Sequence, residues 1–394
     1  MSHDTSHPLP VPDRHSSGVG VGVGVGVGAG PATPSTPAVP VRWGITLPLA
    51  GVPLREHQPI VTGLAAAGYT DVWTAEGGGL DAFTPLAVTA AWAPQLRLAS
   101  AIVPVHTRGP AVIAQTAATL ADLTSGGLVL GIGSSVAAHV TDINGIEFTE
   151  PFKRTRDVLR FLTRVFDGGV VSGTFDTFAV RGFALRDAPR IRPKVILGAL
   201  RPRMLRLGFA EGDGAVTNML FARDVPTVLG AVGPQPAGKE LVVKVFVCPV
   251  EDPVLARRLT RPFLAWILNQ EPYHAFHEWL GNGDLLAASY QRYLAGDAAG
   301  AERELPDEVV DGLFVHGTPE ECRRRIAEYV QPGVTAIQLY LQAPRLGTFG
   351  GPRSRALAGA PGALAGASDA LAAPGAAGIS VADEALALLH TLRS

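Results

Sequence analysis

Residues 96–135 read LRLASAIVPVHTRGPAVIAQTAATLADLTSGGLVLGIGSS. An apolar run, Leu96–Val103, is followed by Pro110–Leu123, with proline at its head and glycines just past its end, and then by a second apolar run, Leu128–Gly133. Proline in the first helical turn forfeits no hydrogen bond, and glycine after the last turn ends a helix cleanly. The two apolar runs are short and hydrophobic almost throughout, as strands covered on both faces must be. The segment is a strand–helix–strand unit.

The same alternation continues in both directions. Trp43–Leu47, Asp71–Glu76, Val195–Leu200, Ala215–Met219, Leu241–Val250 and Ile337–Leu341 are further strand candidates. Pro59–Ala67, Thr84–Trp92, Pro151–Phe166 and Pro202–Ala210 carry helical patterning, and Thr318-Pro319-Glu320-Glu321 is a helix start with a capping threonine. Eight strands, mostly followed by helices, within residues 41–343 favour an α/β fold closed into a (β/α)8 TIM barrel over an open sheet. The helical stretch Asp252–Ala295 exceeds what one barrel helix needs and reads as a helical insertion before the last strand.

The flanks differ in texture. Residues 1–40 contain a Gly-Val repeat from Gly18 to Gly28, expected to be a disordered arm because it offers little to bury. Residues 344–380 form a linker dominated by Ala, Gly and Pro, and residues 381–394 hold a short apolar helix expected to fold back on the barrel. Net charge is −2 with 17% charged and 47% hydrophobic residues, which supports a large core and lacks the basic surplus of a nucleic-acid binder. The two cysteines, Cys248 and Cys322, have no metal or redox spacing and suit a reducing compartment. With no membrane-spanning apolar stretch and no signal peptide, the expectation is a cytoplasmic homodimer acting on a small molecule, without nucleic-acid or membrane partners.

The stretches Thr107–Ala111, Gln115–Leu120, Ser125–Gly127 and Leu130–Gly133 together resemble the hallmark region of luciferase-like monooxygenases. Asp81–Leu86, Gly198–Leu200 before Pro202, and Gly317–Glu321 match in the same order, and the subgroup most resembled is that of the deazaflavin-dependent methylenetetrahydromethanopterin reductases. The resemblance implies hydride transfer with coenzyme F420, or dioxygen chemistry with FMN as the alternative. A non-catalytic barrel paralogue is a third possibility, because relatives carry an Asp-His pair where this chain has Ala75-Glu76.

Site candidates follow from the C-terminal ends of the strands, where barrels of this type gather function. Gly131, Gly133, Ser134 and Ser135 follow the fourth strand; glycines permit close backbone approach, and amides with hydroxyls can hold phosphate. A plain tight turn, or a dinucleotide-binding glycine motif lacking its third glycine, are the competing readings. Gly198, Ala199, Leu200 and Arg201 occupy the equivalent place after the fifth strand, where helix-terminal amides, Arg201 and Arg203 favour anions. The resemblance implies a non-prolyl cis peptide between Ala101 and Ile102, backing the cofactor ring. Glu76 ends the second strand as a catalytic acid or a structural hydrogen-bond acceptor, and His106 is the next polar candidate. His139 lies in the loop beyond the phosphate turn. His274 and His277, with Glu278, read as a solvated helix face and not a metal site.

Overall fold

A computed structural model describes residues 40–50, 52–77, 79–343 and 380–394. All of the Gly-Val arm except Pro40, and all of the Ala/Gly/Pro-rich linker except its last residue, lie outside the described residues. Eight parallel strands close into a barrel: β1 (Arg42–Thr46), β2 (Asp71–Thr74), β3 (Arg97–Ser100), β4 (Leu128–Gly133), β5 (Lys194–Gly198), β6 (Gly214–Thr217), β7 (Glu240–Cys248) and β8 (Ala336–Leu341). Each pairs with its successor, and β8 returns to β1 with Arg42 opposite Ala336.

Seven helices follow the first seven strands: α1 (Gln58–Gly63), α2 (Phe83–Trp92), α3 (Pro110–Leu123), α4 (Pro151–Phe166), α5 (Pro202–Glu211), α6 (Val225–Val232) and α7 (Pro319–Ala327). The eighth place is filled from the far end of the chain by α8 (Val381–Arg393), which packs against α1 and α7. Its Ala385, Leu389 and Leu392 are fully buried, and the Tyr69 hydroxyl donates to the Leu389 carbonyl at 3.0 Å.

All eight barrel strands fall where the sequence places them, within a few residues at their ends. β3 is shorter than the apolar run Leu96–Val103 because the chain breaks at Ala101–Ile102 and resumes pairing with β4 at Val103–Pro104. The insertion runs past Ala295 through two more short helices, Ala298–Glu304 and Asp307–Leu313, where Gly296 and Pro306 interrupt the helical pattern. An antiparallel hairpin, Val171–Thr174 with Ala179–Phe183, was not visible as strands because its residues are mostly exposed.

Inside the barrel, side chains alternate between pointing in and pointing out. The lowest layer is ionic and lies at the starts of five strands. Arg42 and Arg97 both bond Asp71, Arg97 also bonds Glu240, and Lys194 bonds Glu240 at 2.6 Å. Above it lies an apolar layer of Trp73, Ala99, Val129, Ile196, Val216, Val242 and Ala336. These two layers fill the bottom and middle of the barrel, so chemistry is left to the C-terminal mouth.

Candidate active site

β2 delivers Glu76 to the mouth. The Glu76 amide donates to the Ile102 carbonyl at 3.2 Å, which ties the β2 exit to the break in β3. The carboxylate is fully engaged. Arg108 Nη2 donates to Oε2 at 2.8 Å, and Arg108 Nε bridges both oxygens at 3.2 and 3.1 Å. The Thr107 hydroxyl and the Ala82 amide add longer contacts, each 3.4 Å. Arg108 also lies 3.7 Å from Asp81 and 5.0 Å from the centre of the Phe83 ring, so the loop after β3 and the start of α2 are clamped together.

The Ala101–Ile102 peptide bond is cis, at the position the resemblance implies. Around it the three glycines of β4 and β5 do different work. Gly131 is locked to Ser100, whose hydroxyl both donates to the Gly131 carbonyl and accepts from its amide at 3.0 Å. A β-carbon on Gly131 would lie 2.0 Å from the Ser100 carbonyl oxygen. Gly133 and Gly198 instead flank the Ile102 side chain, which a β-carbon would approach to 3.4 and 2.8 Å respectively. The positive φ of this turn belongs to Ser135, at 65°, and not to Gly133.

β4 and β5 are neighbours, with Ile132 opposite Leu197, so their exits stand side by side. The amides of Ser134, Ser135 and Val136 after β4, and of Leu200 and Arg201 after β5, have no backbone acceptor among the described residues. The Ser134 hydroxyl makes only a 3.3 Å contact to the Ser135 carbonyl. Open amides, two hydroxyls and the N-terminus of α5 are the donor set that a phosphate requires, so these residues fit the phosphorylated tail of a flavin or deazaflavin. Ala199 is buried, its amide spent on Val216. Arg201 is half exposed and 3.6 Å from Glu271, while Arg203 lies 3.7 Å above the Phe152 ring.

The histidines separate. His106 holds the Thr149 carbonyl through Nε2 at 3.0 Å and packs 5.0 Å from Phe148, and burial pulls it below the usual imidazole value. His139, half-buried, is likewise drawn down by burial, opposed by the charge of nearby Glu76. Its ring has no hydrogen bond among the described residues. The solvated face expected for His274 and His277 is instead covered, His274 by Tyr290 of the insertion and His277 by Phe221 just after β6. His274 stacks on Tyr290 at 3.5 Å, and His277 is fully buried, with burial pulling it down to about 4. Among the described residues no cluster of His, Cys, Asp or Glu could hold a metal ion.

Two mouth residues escaped the sequence reading. Asn218, one residue past β6, donates to the Tyr273 hydroxyl at 2.8 Å. Lys244 sits buried in mid-β7, and its signal was present as a single cation in the otherwise apolar run LVVKVFVC.

This arrangement is that of a known group of proteins. The profile of the luciferase-like monooxygenases matches residues 29–336. The chain belongs to the luciferase-like monooxygenase family. Within this family, it is 25% identical over 284 residues to the 5,10-methylenetetrahydromethanopterin reductase of Archaeoglobus fulgidus, covering 69% of this chain and 85% of that protein. It is 24% identical over 282 residues to an F420-dependent glucose-6-phosphate dehydrogenase of Mycolicibacterium gilvum, covering 67% and 79%. The solved structure of the coenzyme F420-dependent tetrahydromethanopterin reductase from Methanopyrus kandleri shares the fold with a TM-score of 0.61 at 18% identity, covering 81% of this chain and 96% of that one. The luciferase-like barrel therefore accounts for the order of the strands and for the placing of the mouth.

Proposed function

We propose that this chain is an oxidoreductase that exchanges hydride between coenzyme F420 and a small organic substrate. The observation that carries the reading is the pair of open-amide turns at the neighbouring exits of β4 and β5, beside the Ile102 side chain. When bound, the deazaflavin supplies a ring carbon that accepts or gives hydride. The chain supplies everything else.

Gly131, Gly133, Ser134 and Ser135, with Gly198, Ala199, Leu200 and Arg201, form the cradle for the cofactor tail, and Ala101 and Ile102 form the wall behind its ring. Glu76 serves as a positioning residue. A carboxylate with both oxygens held by a guanidinium has to leave that pair before it can deliver a proton, so its work is to fix Arg108 and the β2 exit. His106 pins the loop before α3 to Thr149. His139, beside Glu76 and with its ring uncommitted, is the group that moves a proton on and off the substrate. No described helix is long and apolar enough to cross a membrane, and the reading includes a cytoplasmic homodimer.

Titration of the purified protein with F420 and with FMN tests this. The expected result is micromolar or tighter F420 binding, weaker FMN binding and no oxygen consumption. Tighter FMN binding with oxygen uptake would make the protein a monooxygenase.

A further inference from the structure

The chain contains four lysines: Lys153, Lys194, Lys239 and Lys244. Lys153 pairs with Glu150, Lys194 with Glu240, and Lys239 donates to the Gly212 carbonyl. Lys244 has no hydrogen bond or ion pair among the described residues, although it is the buried one. Its ammonium lies 5.2 Å from the centre of the Phe246 ring and 5.0 Å from that of Tyr340. Ring faces compensate a cation only in part and leave its N–H donors without acceptors.

The place is at the mouth. Val242, two residues earlier on the same face, belongs to the apolar layer, so Lys244 also points inward, one step higher. β6 ends at Thr217, paired with Val243, so beyond this point the β6 chain becomes Asn218. On the other side Lys244 stands opposite Gln338 of β8. Asn218 Oδ1 and Gln338 Oε1 are both buried without a partner among the described residues. Two buried amide oxygens without a partner are costly in a finished core. Beside them stands a largely buried cation held only by ring faces among the described residues, an arrangement that makes sense where a ligand completes it.

We propose that Lys244, Asn218 and Gln338 form the seat for the substrate, which is a small hydroxylated organic anion. Its carboxylate or phosphate accepts from Lys244, and its hydroxyl groups donate to Asn218 Oδ1 and Gln338 Oε1. Calling this ligand the substrate rests on the proposed function: the cofactor cradle lies on β4 and β5, while this seat lies on β6, β7 and β8. The insertion roofs it, since Tyr273 bonds Asn218 and Phe263 packs against Phe246. Burial pulls the Lys244 ammonium down to about 8, which still leaves it charged at neutral pH.

The test needs no cofactor and no turnover. The full chain and its Lys244→Met variant are melted in sodium acetate, sodium phosphate and sodium chloride at matched ionic strength. The expected result is that acetate or phosphate raises the wild-type melting temperature above chloride by about 2–3 °C more than it does in the variant. Comparing the two proteins removes the general salting effect of phosphate. In chloride the variant should melt no lower than wild type, because a buried unpaired charge has been removed. A variant that melts several degrees lower, with unchanged anion responses, would make Lys244 a structural residue and overturn the seat. A second measurement uses wild type alone: trinitrobenzenesulfonate labelling, with the modified lysines mapped by mass spectrometry. Acetate should slow the labelling of Lys244 and leave the other three lysines unaffected, and equal slowing at all four overturns the proposal. Protection of Lys244 by F420 alone would assign the cation to the cofactor instead. Failure of F420 to bind, with the anion effects intact, would count against the proposed function and not against the seat.

Discussion

Arg108 grips both carboxylate oxygens of Glu76, with its Nη2 2.8 Å from Oε2 and its Nε between the two. The pair is only partly open to water, with side-chain exposures of 26% and 13%. It joins the β2 exit to the loop that leads into α3. A double-mutant cycle of Glu76→Gln and Arg108→Met should give a coupling of about 1–2 kcal/mol in urea unfolding. Glu76→Gln should keep the limb of the pH–rate profile that His139 sets and move it to lower pH, because the Glu76 charge that raises the His139 imidazole is gone. A loss of turnover of about 10²–10⁴, with one limb of that profile abolished, would instead make Glu76 the proton donor.

The two glycines of β4 should respond differently to the same methyl group. At Gly131 the added carbon meets a backbone oxygen that cannot move without breaking the β3–β4 pairing. Gly131→Ala should therefore cost at least about 3 kcal/mol or prevent folding. At Gly133 the neighbour is the flexible end of Ile102, 3.4 Å away, so Gly133→Ala should cost about 1 kcal/mol or less. Chemical denaturation of both variants decides the point, and equal costs would refute the division.

These glycines mark what could be read from the sequence. The run LVLGIGSS was legible as a strand ending in an open turn, because short apolar strands and glycine exits are local patterns. What each glycine packs against was not, because Ser100, Ile102 and Gly198 come from neighbouring strands. The Glu76–Arg108 pair is separated by 32 residues, and the Lys244–Gln338 opposition by 94, so no periodicity connects them. The ionic floor was hidden for the same reason. Asp71, Arg97 and Glu240 each look like an ordinary charged residue at the start of a strand, and only closure of the barrel brings them together.

That floor has a pH signature. Burial raises the Glu240 carboxyl, but Arg97 and Lys194 outweigh it and hold the group below its ordinary value of 4.5. A carboxylate depressed on folding stabilises fully above its unfolded value and loses that contribution as pH falls below it. Stability measured by urea unfolding should therefore drop as pH falls below 4.5, and Glu240→Gln should flatten this acid limb. The same variant leaves Arg97 with one anionic partner in place of two, and at pH 7 it should cost about 3–5 kcal/mol. An acid limb unchanged by the substitution would show that other carboxylates govern it.

His139 carries the last prediction, on the proton itself. Burial draws its imidazole below 6.5, against the pull of the Glu76 charge, so at neutral pH the ring is uncharged and can accept a proton. In the direction of substrate oxidation a hydroxyl proton must leave as hydride departs, and an uncharged imidazole can take it. The oxidation rate should then hold through neutral pH and fall as pH drops through a value below 6.5, where the ring becomes protonated. His139→Gln should remove that limb and lower turnover by about 10²–10⁴, with F420 affinity retained. His106→Gln provides the contrast. Its Nε2 is committed to Thr149, so this substitution should lower the melting temperature and leave the pH profile in place. If His106→Gln removes the limb and His139→Gln does not, the two roles are exchanged, and the loop before α3 delivers the base.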